Sequence, residues 1–293
     1  MKNVVVIMKG GLGNQLFQYA FARNIQLKYG YDRIILDISE LDGIRDRKYA
    51  LQDFELPGNC VTTCSDNRYA RYSRRRNPFL RVGMHICPKV VYDVGTFGNA
   101  FIWDRTELID IDKRIKSGKD VVINGYWQSA KYFPDVSDTL KKDLKLIRRE
   151  AYEKLDIYKK IRGTDSTCIH VRLGDYVNMS YYNTFGVEYY KDAIERVKEK
   201  KDSEFFVFSD DIEGAKKMLA PFYPELNFVA YDGQDTLSDF FLMSQCKNFI
   251  MANSSYSWWA QYLGEEKNIV TAPKRWTSSD ACEDIYMDNW IRI

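Results

Sequence analysis

Between residues 167 and 273 short apolar runs alternate with amphipathic stretches, and that alternation constrains the fold more than any other feature of the chain. TCIHVRLGD (167–175) reads as a buried strand ending in a glycine turn. YYKDAIERVKEK (189–200) reads as a helix with Ala193, Ile194 and Val197 on one face. EFFVFSDD (204–211) is a strand ending in two acids, DIEGAKKMLA (211–220) a helix and LNFVAY (226–231) a strand. DTLSDFFLMSQC (235–246) is a helix that opens with Asp-Thr capping chemistry. NFIMANSS (248–255) is a strand running into SYSWWAQYLG, a helix closed by Gly264, and KNIVTAP (267–273) is a last strand. Strands that alternate with helices build a parallel, doubly wound sheet. Such sheets bind ligands beyond the carboxyl ends of their strands. Those ends carry Gly174-Asp175, Ser209-Asp210-Asp211 and Asn253-Ser254-Ser255.

The first half begins in the same way. VVVIM (4–8) is a strand, and Asn14 to Tyr29 a helix with Leu16, Phe17, Ala20 and Phe21 on one stripe. RIILD (33–37) is a second strand. DVVINGYWQSAKYF (120–133) is a strand that ends in an aromatic and polar cluster, followed by a helix from about Val136 to Leu146. Residues 40–120 show no clear period. The expectation is α/β architecture in two domains, 1–150 and 151–293, with the place of the last residues, DIYMDNWIRI, left open between the second domain and a return onto the first.

Composition narrows the function. A net charge of +2 gives no electrostatic footprint for nucleic acid. The apolar run after Lys2 is too short for a secretory signal, and no run approaches a membrane span. Six scattered Cys then suit reduced thiols in the cytoplasm. Cys60, Cys64, His85 and Cys87 fit no common zinc spacing, and with two His in the chain no metal is expected. RYARYSRRRNPFLR (68–81) is basic and carries interleaved aromatics. It reads either as a solvated face or as a patch that touches an anionic acceptor or anionic lipid, the latter as peripheral contact with the inner face of a membrane.

KGGLGNQLFQYA (9–20) follows the first strand as a dinucleotide fingerprint does, with Gly11 and Gly13 in place and Asp37 positioned for a ribose. Leu16 stands where the third glycine belongs and works against close helix–strand contact. Asn14 can cap the helix or bond a polar ligand. A nicotinamide-dependent oxidoreductase therefore stays as an alternative. In IHVRLGDY (169–176), alternation puts His170 and Arg172 on one side of the strand. A guanidinium there offers a planar donor fork to a diphosphate, and an Arg172–Asp175 pair is the structural alternative.

Taken in order, GGLGNQLFQYA, GYWQSAKYF, HVRLGDY, FSDD and NSSYSWWA resemble the bacterial α-1,2-fucosyltransferase family over essentially the whole chain. HVRLGDY resembles that family's H-x-R-R-G-D-Y signature, with Leu173 where a second Arg is common. The resemblance implies a GT-B type fold, two Rossmann-like domains facing a cleft. It implies GDP-fucose as donor, no metal, and inverting transfer of L-fucose to O2 of a galactose in an oligosaccharide or lipid-linked glycan. Another GDP-sugar transferase of different linkage is the alternative. The second domain then holds GDP and the first the acceptor.

On this reading Arg172 meets the β-phosphate, and Ser254, Ser255 and the helix they open bind the same diphosphate. Asn253, Ser209 and His170 lie at the same strand ends. Asp210 or Asp211 accepts from guanine, Asp211 otherwise serving as a helix cap. Gly11, Gly13 and Asn14 approach the donor from the first domain. Asp175 is the first candidate for general base and His170 the second. Tyr126, Trp127, Gln128 and Ser129 suit the acceptor sugar. Trp258 and Trp259 are expected in the core. Asp110-Ile-Asp112 is formally a metal-type D-x-D and is set aside as a chance pattern among 41 acids.

Overall fold

The computed structural model describes residues 1–41, 48–63, 100–103, 115, 120–174, 185–265, 268–278 and 280–293. The chain divides into two compact units, Met1–Leu144 and Lys145–Ile293.

The first unit holds a five-stranded sheet in the order β3-β2-β1-β5-β4. Its strands are β1 (Asn3–Ile7), β2 (Arg33–Asp37), β3 (Cys60–Thr63), β4 (Ala100–Trp103) and β5 (Val121–Asn124). All pairings are parallel, with Val6 opposite both Leu36 and Ile123. Strands buried on both faces read as unbroken apolar runs, which is what VVVI and VVI are. The helix Leu12–Tyr29 starts two residues before the expected Asn14 and packs Leu16, Phe17, Ala20 and Phe21 with no exposure. It ends at Gly30, whose left-handed backbone (φ 64°, ψ 48°) closes the last turn.

The second unit holds a six-stranded parallel sheet in the order β11-β10-β9-β6-β7-β8. The strands are β6 (Ser166–Val171), β7 (Glu204–Ser209), β8 (Asn227–Phe228), β9 (Asn248–Ile250), β10 (Ile269–Ala272) and β11 (Ile291–Arg292). Helices Val187–Lys198, Ile212–Leu219, Thr236–Gln245 and Ser255–Leu263 connect them. Ala193, Ile194 and Val197 line the core with Ile169, Val171, Val207 and Ile250. Trp258 and Trp259 are fully buried, and Trp258 Nε1 donates to the Ile285 carbonyl at 2.8 Å. Near the end of the chain, β11 pairs with β10, Thr271 opposite Ile291, as the edge strand of this second sheet.

Candidate functional site

In each sheet the strand order reverses at one point, beside β1 in the first and beside β6 in the second, and an open α/β sheet places its ligand crevice there. In the second sheet the register sets what meets at that point. Val171 lies opposite Ser209, so the next residues, Arg172 and Asp210, are neighbours. Ile169 lies opposite Ile250, and Arg172 and Asn253 each stand three residues beyond that pair.

Arg172 Nη1 is 3.1 Å from Asp210 Oδ2, and each side chain is about a quarter exposed. The same carboxylate accepts from the backbone N–H groups of Leu173 (3.0 Å) and Gly174 (2.9 Å). A Cβ on Gly174 would lie 2.3 Å from Asp210 Oδ2, so the glycine is what lets the carboxylate close on the loop. Arg172 thus pairs with an acid on the neighbouring strand. Asp175, the partner suggested by sequence proximity, lies outside the described residues, as do the basic segment 68–81, Cys64, His85, Cys87, Asp110 and Asp112.

The Asp210 carboxylate is thus shared between Arg172 and the loop that follows it. Asp211 acts as the expected cap, accepting from Gly214 N–H at 2.9 Å. Ser209 Oγ bonds the Asp211 backbone and holds the turn between them.

Ser254 caps the helix Ser255–Leu263, its hydroxyl accepting from Tyr256 N–H at 3.3 Å. Asn253 is buried and donates from Nδ2 to the Trp276 carbonyl at 2.8 Å. His170 is buried one residue before the strand end, with its ring 5.6 Å from that of Tyr256. Its Nδ1 has no hydrogen-bond partner among the described residues. Burial, and then the Arg172 charge, push its pKa down to about 3, so the imidazole is neutral at physiological pH.

One acid on this face escaped the sequence reading. Asp239 lies in the first turn of the helix Thr236–Gln245, and the start of that helix is tied to the start of the next by Tyr256 Oη donating to the Thr236 carbonyl at 2.6 Å. Gln234 Nε2 donates to both Asp239 oxygens, at 2.8 and 2.9 Å. Burial, reinforced by the nearby Asp235 charge, raises its pKa to about 6. Its signal was an acid breaking the apolar run of LSDFFLM.

In the first unit the loops after β1 and β5 meet in the same manner. Gly10 is left-handed (φ 79°), and a Cβ there would sit 2.6 Å from Asn14 Nδ2. Asn14 is not the cap, since Gly11 holds that position; Asn14 Oδ1 instead accepts from Gln128 Nε2 at 2.7 Å. Gly13 is buried inside the helix. Of the expected acceptor residues, Tyr126 is 40% exposed, and Gln128 is half-buried and bonded to Asn14. Trp127 is a correction: it is fully buried, 4.4 Å from the Phe21 ring and edge-on to Tyr132 at 5.3 Å, and has no face to offer a sugar. Ser129 is buried too and accepts from Lys131 N–H. Asp37 is fully buried, with Oδ1 accepting from Ser39 N–H at 3.0 Å, which removes it as a ribose ligand.

Among the described residues no three His, Cys, Asp or Glu cluster as a metal site, and no helix is long and apolar enough to cross a membrane.

Each unit is a parallel α/β sheet with a switch point, an arginine held at one and Gly-Asn-Gln chemistry gathered at the other, which are the places where such sheets bind ligands. The chain belongs to glycosyl transferase family 11, whose model matches residues 109–293. It is 30% identical to an O-antigen biosynthesis glycosyltransferase of Escherichia coli over 98% of this chain and 99% of that one. It is 31% identical to an α-1,2-colitosyltransferase of Escherichia coli over 100% and 99%. Among solved structures, the fucosyltransferase NodZ from Bradyrhizobium shares the fold, with a TM-score of 0.56 at 18% identity over 90% of this chain and 93% of that one. The resemblance seen in the motifs is borne out at the level of the family.

Proposed function

We propose that the protein is an inverting α-1,2-fucosyltransferase of GT-B type, moving L-fucose from GDP-fucose to O2 of a galactose in a glycan, with the second unit binding the donor and the first the acceptor. The observation that carries this is Arg172, fixed by Asp210 at the switch point and level with the Asn253-Ser254 start of a helix. A guanidinium and a helix N-terminus stabilise the charge that develops on a departing diphosphate, so no metal is required. Asp175, three residues past Arg172 in sequence, is proposed as the base that takes the acceptor proton. A His170 with a pKa near 3 is a poor base at neutral pH and serves better as a hydrogen-bonding group.

Asp239 is proposed beside Asp210 as a reader of guanine, whose N1–H and N2–H favour an ionised acceptor. GDP affinity of the wild type should then fall about tenfold per pH unit below the carboxyl pKa near 6. The terminal phosphate of GDP titrates in the same region, so the readout is the difference from Asp239→Asn. Calorimetry between pH 7.5 and pH 5 (about the range where the carboxyl changes charge) should show a shallower pH dependence in the variant. Parallel curves would remove Asp239 from the base site.

The colitosyltransferase relative supports a second donor, the GDP sugar that lacks a hydroxyl at C3. The experiment is GDP release from GDP-fucose and from GDP-colitose, with and without lactose, in excess EDTA, followed by NMR of the product linkage. Lactose-dependent release from GDP-fucose that survives EDTA, with a product linked at O2, is the expected result. Release from GDP-colitose alone would transfer the reading to that sugar. A requirement for a divalent cation would overturn the metal-independent mechanism.

A further inference from the structure

We propose that Lys9 is a specificity-determining residue of the acceptor site, its ammonium donating to the hydroxyls of a galactoside laid against the Tyr126 ring. The inference rests on the acceptor reading of the first unit and adds a residue to it.

Lys9 and Tyr126 are brought together by register. Val6 lies opposite Ile123, and Lys9 and Tyr126 stand equally far beyond that pair, at the point where the first sheet reverses its order. Both sides of the lysine are built. Its backbone N–H donates to Gln18 Oε1 at 3.0 Å, and its carbonyl accepts from Gln18 Nε2 at 2.9 Å. Gln18 is fully buried in the helix that follows. At the other end, Lys9 Nζ donates to Oδ1 of the fully buried Asn124 at 2.8 Å and stands 5.1 Å from the Tyr126 ring centroid.

A lysine on an open surface loses much rotamer entropy when it grips a ligand. One already held by a buried amide at each end loses less, and preorganisation of this kind favours binding. Tyr126 is the exposed member of its cluster, because Trp127 turns into the core through a left-handed backbone (φ 55°). Galactose has one ring face lined by C–H groups, which pack on an aromatic ring, and hydroxyls at its edge that take hydrogen bonds. An ammonium beside an exposed phenol ring matches both halves of that surface.

The test separates acceptor from donor. Initial rates are measured against lactose and against GDP-fucose for wild type, Lys9→Met, Lys9→Arg, Tyr126→Ala and Tyr126→Phe. Lys9→Met and Tyr126→Ala should each raise KM for lactose about tenfold, the cost of a lost charge-assisted hydrogen bond or stacking face, and leave KM for GDP-fucose unmoved. Tyr126→Phe keeps the ring and should raise KM for lactose less than Tyr126→Ala does, and Lys9→Arg should fall between wild type and Lys9→Met. Tyr126 is exposed, so its variants report even if loss of Lys9 unsettles the loop. An unchanged lactose KM in Lys9→Met, or a rise confined to GDP-fucose, overturns the proposal with the fucosyltransferase reading intact. Failure of the wild type to use GDP-fucose with any galactoside overturns the reading itself and this proposal with it.

Discussion

Arg172→Ala is expected to slow sugar transfer by about 10²–10³-fold, the loss seen when one fixed donor is removed from a centre of developing charge. The reason is geometric as well as electrostatic. Arg172 is held by Asp210 from the neighbouring strand, so its charge needs no reorganisation as the diphosphate leaves. The loss should fall mainly on kcat, because charge accumulates on the phosphate in the transition state more than in the bound donor. Arg172→Lys keeps the charge and gives up the planar fork, and should recover only part of the rate. Steady-state GDP release with saturating lactose measures both. A kcat close to wild type in Arg172→Ala, in a protein with an unchanged melting temperature, would take this arginine out of the chemistry.

The second large effect belongs to Asp210→Asn. The substitution conserves shape and leaves one acceptor oxygen for the Leu173 and Gly174 N–H groups, but it removes the charge that orients Arg172. Both side chains are about a quarter exposed, so the interaction is weaker than a fully buried pair. We expect kcat/KM to fall about tenfold. The cycle Arg172→Ala, Asp210→Asn and the double variant identifies the route. If Asp210 acts through Arg172, the double variant should be little worse than Arg172→Ala alone. If Asp210 instead reads guanine, the two losses multiply and GDP affinity drops in Asp210→Asn by itself. Isothermal titration with GDP on the same four proteins supplies that second readout.

These effects mark where the sequence was readable. Helix caps are local, and Asp211, Asp235 and Ser254 act as the DI, DT and SS pairs suggest. The core stripe of the first helix and the alternation of the second half are also local patterns. Strand neighbours are not. A parallel sheet joins residues far apart in the chain, so Asp210 reaches Arg172 from 38 positions away (210 − 172), whereas sequence proximity pointed to Asp175. The same blindness hid the Asn14–Gln128 bond, across 114 positions, which links the first turn of the helix to the loop after β5 where the sequence offered a cap or a ligand contact. Trp127 was misplaced for another reason. Aromatics beside a strand end look like a sugar platform whether they face out or in, and only a positive φ at a bulky residue turns this one inward. Asp239 was missed because an acid inside an apolar helix resembles an ordinary solvated position until its burial is known.

That inward turn governs how the loop after β5 can be altered. Holding a non-glycine residue left-handed costs about 1–2 kcal/mol, while a buried indole contributes about 3–5 kcal/mol of packing. Trp127 therefore behaves as an axle. The backbone is wound around it, and the positions on either side, 126 and 128, are the spokes presented at the loop. Acceptor preference in this family member should be tunable at the spokes, by changing the ring at Tyr126 or the amide at Gln128. A library that also varies the axle would lose the frame on which each new contact depends.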